Sequence, residues 1–265
     1  MKKLDNILQH FRPEEQEFIT QVTDWIDDVT AMYTAKLTGF LDPRQVMIMQ
    51  SIIGQNNDVK MQAEGLMPDA ERQRVLIYPD YLVPQFDDFN IICYEMKYPS
   101  KFVQLHHPDV LGSLVALGLD RSKFGDIRLN ERKIQFVAQK EVSNFIEMNL
   151  TAINKVKVHL SVISPTAELI VNDDVWIEQS ETISSLRIDT VIAAAYSISR
   201  QKAAMLIQGG KVKVNYRLQE SVSFEVDEGD LLSIRGQGRL AINVIAGRTK
   251  KDKIRVILSK LERKS

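Results

Sequence analysis

The chain is 265 residues long, 44% hydrophobic and 26% charged, an ordinary balance for a globular protein with room for one large or two to three small domains. Its lone cysteine, Cys93, excludes an internal disulfide and a Cys-rich metal site, and no run approaches the roughly 20 apolar residues of a membrane span, nor does MKKLDNILQHFRPEEQEF hold a signal-peptide core, so a cytoplasmic protein without a membrane partner is expected. The net charge of −1 conceals a polarity: residues 1–70 hold 6 basic and 11 acidic side chains (−5), 71–180 hold 12 and 15 (−3), and 181–265 hold 16 and 9 (+7), which excludes a uniformly basic coat protein and directs a polyanion to the C-terminal third.

From Pro13 to about Tyr33, the residues Phe18, Val22, Trp25, Val29 and Met32 recur at helical spacing and mark one face of an amphipathic helix. Pro13 with Glu14, Glu15 and Glu17 suits its N-terminus. Asp42-Pro43, a capping residue before a first-turn proline, predicts a second helix to about Ile53. Residues 1–70 therefore read as a small helical domain. Asp24, Asp27 and Asp28 lie on or beside the polar face of the first helix, so solvation accounts for them better than a metal ion.

After Glu71 the texture turns to β. RVLIYPDY, DFNIICYEMKY, IRLNERKIQFVAQ and KVKVHLSVIS are rich in branched and aromatic residues, and helical patterns separate them at Asp109–Leu119 and Glu141–Leu150. The second part of this order is a βαββαβ unit, which predicts a ferredoxin-like, RRM-like sandwich over 71–180. Such folds stack RNA bases on aromatics of the central strands. Tyr94 and Phe136 stand at those places, yet KIQFVAQ lacks the expected Gly-Phe-Gly-Phe-Val pattern, so core packing is the favoured role for both. His106-His107-Pro108-Asp109 offers acid–base and ligand chemistry. It has no nucleophile elbow and no His-Glu-x-x-His spacing beside it, so a capping or loop-forming Asp109 is preferred. Arg121, Lys123 and Arg128 are exposed cations in this view, able to touch phosphate.

The last part, 181–265, opens on RIDTVIAAAYSISRQKAAMLIQGGKVKVN. Ile188, Val191, Ile192 and Ala195, then Ala203, Leu206 and Ile207, predict two short helices sharing an apolar interface. Ser199 is placed to cap the second helix, and Gly209 or Gly210 to end it in the left-handed region. Lys211-Val212-Lys213-Val214 alternates like a strand with one wet face. Arg187, Arg200, Lys202, Lys211, Lys213 and Arg217 are expected on one side. Thr249–Lys253 reads as a basic loop before a final strand through Ile254, Val256 and Ile257.

SLRID, SISRQKAAMLIQGGKVKVN and EGDLLSIRGQGR, taken in order, resemble the S-four-type RNA-binding domain, also called the alpha-L motif. That resemblance implies a surface for structured RNA formed by Arg187, Ser199, Arg200, Lys202, Lys211, Lys213 and Arg217. In the middle part, Leu-x-His-x-Asp-x-Leu-Gly (from Leu105) and Leu-Gly-x-x-Arg-x-x-x-Gly-Asp-Ile (from Leu117) resemble the central domain of the YlmH family, found beside cell-division genes in Gram-positive bacteria. AERQRVLIYP and TKKDKIRV extend the likeness over essentially the whole chain. Pro108 stands where that family usually has Arg, and Tyr216 fits the aromatic it often carries after Val-Asn.

The fold class expected is α+β: an N-terminal helical domain, a ferredoxin-like middle domain and a C-terminal alpha-L domain. The function expected is RNA binding without catalysis, with no catalytic residue, metal or cofactor. The resemblance implies ribosome association, with large-subunit rRNA and tRNA as partners during rescue of stalled translation. Two alternatives stand beside it. Similar RNA-binding domains are appended to RNA-modifying enzymes, whose signature motifs are missing here, and the gene neighbourhood invites a cell-division interaction protein docking through its acidic N-terminal part.

Overall fold

The computed structural model describes residues 11–54, 58–130, 133–164, 168–172 and 174–262. The chain divides into two compact units, Met1–Asn172 and Asp173–Ser265. Among the described residues no helix is long and apolar enough to cross a membrane.

In the first unit, α1 (Gln16–Met32) buries Phe18, Ile19, Val22, Ile26 and Val29. Its buried stripe is turned from the expected one, because Met32 is exposed and Trp25 is half-buried, edge-on to Phe18 at 6.2 Å. Tyr33, at a φ of 53°, ends the helix in the left-handed region. Helix α2 (Pro43–Ile53) has the predicted cap: the Asp42 carboxylate accepts from Gln45 N at 2.9 Å, and Gln45 Oε1 accepts in return from Asp42 N at 3.0 Å.

The small helical domain expected over 1–70 holds both of its helices and also carries strands. Strands β1 (Lys36–Leu41) and β2 (Val59–Glu64) flank β3 (Gln73–Pro79) in an antiparallel sheet of order β1-β3-β2. The two outer strands are short and mixed in polarity, and β3 shows why the sheet exists. Val75 and Ile77 pack under α1 and α2, while Leu76 and Tyr78 fill a second core on the other face. A strand buried on both faces reads as a continuous apolar run, without alternation.

The middle domain follows its predicted plan. Strands β4 (Ile91–Lys97), β5 (Phe124–Leu129), β6 (Ile134–Gln139) and, after the small hairpin β7 (Ala152–Ile153) and β8 (Val156–Lys157), β9 (His159–Ile163) form an antiparallel sheet of order β5-β6-β4-β9. With α3 (His107–Ala116) and α4 (Ser143–Asn149) between them, this is the split βαβ arrangement of ferredoxin-like domains. One face, bearing Tyr94, Met96, Ile134, Phe136 and Ala138, packs with Val110, Leu114 and Ile146 of the helices. The other, bearing Ile91, Cys93 and Val137, packs against Phe40, Leu76 and Tyr78 of the N-terminal sheet. The first unit is thus two sheets back to back with helices outside.

Polar groups cross that junction, and among the described residues no buried side-chain N or O lacks a partner. Arg74, 3% exposed, donates to the carbonyls of Thr38, Phe89 and Asn90 and to Glu141 at 2.8–3.1 Å. Asp126 accepts from the backbone N–H groups of Glu71 and Arg72 at 2.9 and 3.0 Å. Gly125 lets the sheets approach, since a Cβ there would lie 2.9 Å from the Phe40 ring and 3.1 Å from Val137 Cβ.

The second unit begins with β10 (Trp176–Ile183) and continues with α5 (Ile188–Ala195), α6 (Arg200–Gln208), β11 (Val212–Val214), β12 (Arg217–Leu218), β13 (Leu231–Ile234), β14 (Gly238–Arg248) and β15 (Ile254–Leu261). Their sheet has the order β10-β15-β14-β13-β11-β12. The helices cover one face, where Val191, Ile192, Ala203 and Ile207 meet Val212, Val214, Leu232, Leu240 and Leu258. Gly210, at a φ of 65°, closes α6 as expected. Asn215 and Tyr216 both take positive φ in the two-residue turn from β11 to β12, the conformation that matches strand twist in tight hairpins.

Candidate nucleic-acid interface

The interface is built on Asp189, in the first turn of α5. Its carboxylate is 5% exposed and accepts from Arg187 Nε at 3.1 Å, Arg187 Nη2 at 3.3 Å and Arg200 Nη2 at 2.8 Å. Burial pushes its pKa up, but the two guanidiniums outweigh burial and hold it below the usual Asp value. The same contacts raise the Arg187 pKa. The arginine side chains remain 37% and 55% exposed, so one buried anion holds two cations facing solvent.

Ser199 acts as predicted, its Oγ accepting from Lys202 N at 3.1 Å at the start of α6. That cap fixes Arg200 and Lys202 on the first turn, with Lys202 exposed. Lys211 and Lys213 are exposed, whereas Val212 and Val214 are buried beneath the helices. Strand alternation therefore turns both lysines to the opposite face of the sheet, a correction to the expectation that all the cations share one side. Arg217, in register with Val214 and exposed, lies on the helix side of the edge strand β12. Both residues of β12 are exposed, so the cations lie on the two faces of this edge.

Asp189 was legible in SLRID only as a charge beside an arginine. Its part as the anchor of Arg187 and Arg200 depends on the fold bringing the start of α6 to the start of α5. Arg239 is a second residue that local reasoning passes over. It is in register with Ser233, which pairs with Lys213, so the two cations share one row on the open face. The RGQGR motif was its only signal.

The middle domain offers no comparable surface at the positions foreseen. Tyr94 and Phe136 are buried and stack on each other at 5.1 Å, and Tyr94 Oη donates to Glu147 at 2.8 Å. Burial and Glu147 together raise the Tyr94 pKa. The sheet face opposite the helices, which RRM-like domains turn to RNA, is covered by the N-terminal sheet. Arg128 is buried with Nη1 on Ile170 O at 3.0 Å, and Arg121 and Lys123 bind Phe124 O and Gln139 Oε1. Asp109 is the cap of α3, accepting from His106 N at 2.9 Å and from Asn154 Nδ2 at 3.2 Å, and these bonds hold its pKa low. A cleft of about 400 Å³ beside it is lined by Tyr98, Gln104, His106, His107 and Asn130. Burial, with help from Glu95, pushes the Cys93 thiol up to about 12, away from nucleophilic use. Among the described residues no cluster of His, Cys, Asp or Glu is arranged to hold a metal.

Two short helices packed on a sheet, with a cationic frame at their shared N-terminal end, define an S4-type RNA-binding domain within a longer α+β protein. Family profiles match along the chain as "YlmH, N-terminal" at residues 14–82, "Putative RNA-binding domain in YlmH" at 84–167 and "S4 domain" at 186–232. The Bacillus subtilis (strain 168) "Ribosome-associated protein quality control protein P2" is 41% identical over 253 residues, covering 96% of this chain and 98% of that protein. A solved structure, "Cell division protein ylmH from Streptococcus pneumoniae", is 31% identical with a TM-score of 0.52, covering 58% of this chain and 94% of that one. The chain belongs to the YlmH family.

Proposed function

We propose that this protein binds structured RNA without catalysis, holding large-subunit rRNA and tRNA on the ribosome during rescue of stalled translation. The observation that carries the RNA part is the Asp189-anchored pair Arg187 and Arg200 beside Lys202. Guanidiniums presented with their orientation already set bind phosphate oxygens with less loss of side-chain freedom. Lys211, Lys213 and Arg217 extend the contact around the sheet edge, and Ser199 fixes the α6 end. The ribosomal setting is supported by the name of the Bacillus relative.

The test replaces Lys202, Lys211 and Lys213 with Glu, since none of the three has an ion-pair partner among the described residues. Arg200→Glu is avoided because it sets a second carboxylate against Asp189. The triple variant is expected to fold normally and to lose co-sedimentation with large ribosomal subunits. Undiminished co-sedimentation refutes the proposal. A second role, docking a cell-division protein, is favoured by the name of the pneumococcal relative and by the exposed acids Asp24, Asp27 and Asp28 of α1. Pull-down of division proteins by the full chain after nuclease treatment, lost in an Asp24→Asn/Asp27→Asn/Asp28→Asn variant, is its test.

A further inference from the structure

The hairpin joining β14 to β15 lies outside the stretch matched by the S4 profile, which ends at 232. Its tip is a built turn: Thr249 N donates to Lys253 O at 2.7 Å, Asp252 N to Thr249 O at 2.9 Å, and Lys253 N to Thr249 Oγ1 at 3.2 Å. Arg248 to Arg255 holds five cations and one acid. That acid, Asp252, is paired with Arg248 at 2.6 Å. Lys250, Lys251, Lys253 and Arg255 are exposed, with no ion-pair partner among the described residues. Three lysines on one tight turn and Arg255 at the start of the strand beside it repel one another, so they do not stabilise the fold.

Sheet register places this tip. Ile254 pairs with Arg248 on one side and with Ile183, the last residue of β10, on the other. From Ile183 the chain reaches Arg187 in four residues, at most about 14 Å. The β11–β12 turn at Asn215-Tyr216 points the same way along the sheet but stands nearer its other end, since Val214 pairs with Leu232, Leu232 with Leu240 and Leu240 with Lys260. Arg255 alternates with the buried Ile254 and Val256, so it stands on the open face that also carries Lys213 and Arg239.

We propose that the β14–β15 tip is a second phosphate-binding element, in which Lys250, Lys251, Lys253 and Arg255 contact backbone phosphates of the structured RNA whose other contacts are at Arg187 and Arg200. The inference rests on the RNA-binding function proposed above. The ligand chemistry is the RNA backbone, because point-charge ammonium groups on an apex neutralise phosphates and carry no base-specific geometry.

The experiment measures affinity of the full chain for a labelled RNA stem-loop across a series of KCl concentrations. It compares the parent with Lys250→Gln/Lys251→Gln/Lys253→Gln and with Lys202→Glu/Lys213→Glu. Each lost phosphate contact removes roughly 0.7–0.9 from the log–log salt slope. The hairpin variant is therefore expected to lose about 2 from the slope, and on the order of 100-fold in affinity at about 0.1 M salt, with an unchanged melting curve. Replacement of the same lysines by Arg is expected to restore both. If the Lys202/Lys213 variant weakens binding while the hairpin variant keeps its affinity and slope, the tip serves solubility alone and the inference is overturned with the RNA function intact. A fall in affinity at unchanged slope also overturns it. If neither variant changes binding, the RNA function fails as well.

Discussion

Replacing Asp189 by Asn separates two accounts of the interface by the sign of the effect. If only net charge matters, removing an anion from beside the cations tightens RNA binding. If the carboxylate is an anchor, binding weakens. Asn keeps the shape and one acceptor oxygen, but it loses the charge and turns an N–H donor towards guanidinium donors. The Arg187 and Arg200 side chains are then ordered only on contact with RNA, at a cost equivalent to roughly 2- to 12-fold in affinity for each. The expected result is between about 5- and 100-fold weaker binding by filter retention. The bond from the buried carboxylate to Arg200 is of the charge-assisted kind worth about 1.5–3 kcal/mol. Screening at a guanidinium 55% exposed reduces that to about 1 kcal/mol. The second unit should melt roughly 4–8 °C lower. Since the folded Asp189 pKa is depressed, the stabilisation is complete above the unfolded value of about 3.9 and fades as pH falls through the lower folded one. The melting difference between parent and variant should therefore close in acid. A well-folded Asp189→Asn protein that binds RNA as tightly as the parent, or more tightly, refutes the anchor.

Three further outcomes follow from the first unit. Gly125→Ala forces a methyl against Phe40 and Val137 at the sheet–sheet junction, and should cost about 1–3 kcal/mol in urea unfolding without altering RNA affinity. Arg74→Met takes the guanidinium donors from the carbonyls of Thr38 and Phe89, while Asn90 O keeps the Lys140 N–H and the half-exposed Glu141 stays solvated, a loss of roughly 1–3 kcal/mol on the same assay. Tyr94→Phe removes the bond to Glu147 and leaves the ring in the core. It should lower stability by about 1 kcal/mol and leave RNA binding untouched.

Local features came through the sequence well because their causes are local. Asp42 before Pro43, Ser199 before Arg200 and Gly210 after α6 each satisfy or release backbone groups within one turn. The middle sheet's order was also legible, since a βαββαβ succession with short connections leaves few ways to arrange its strands. The N-terminal sheet was not. KLTGFL and VKMQAE carry little apolar signal, and their pairing with β3 is a long-range event that no local window contains.

The S4 resemblance and the basic C-terminal third were properties of the sequence by itself, because motif order and charge need no coordinates. Even the separation of the lysines from the helix-borne cations was implicit there, since Lys211 and Lys213 alternate with Val212 and Val214 and so take the face opposite the apolar one. Two matters were decided by tertiary structure alone. Asp189 became an anchor because packing α6 on α5 brought Arg200 to 2.8 Å from its carboxylate. The RRM-like face of the middle domain was closed because Phe40, Leu76 and Tyr78 arrive there from another sheet. In both cases the partners are separated along the chain and meet only through burial of apolar surface, which periodicity records for each element without naming what covers it.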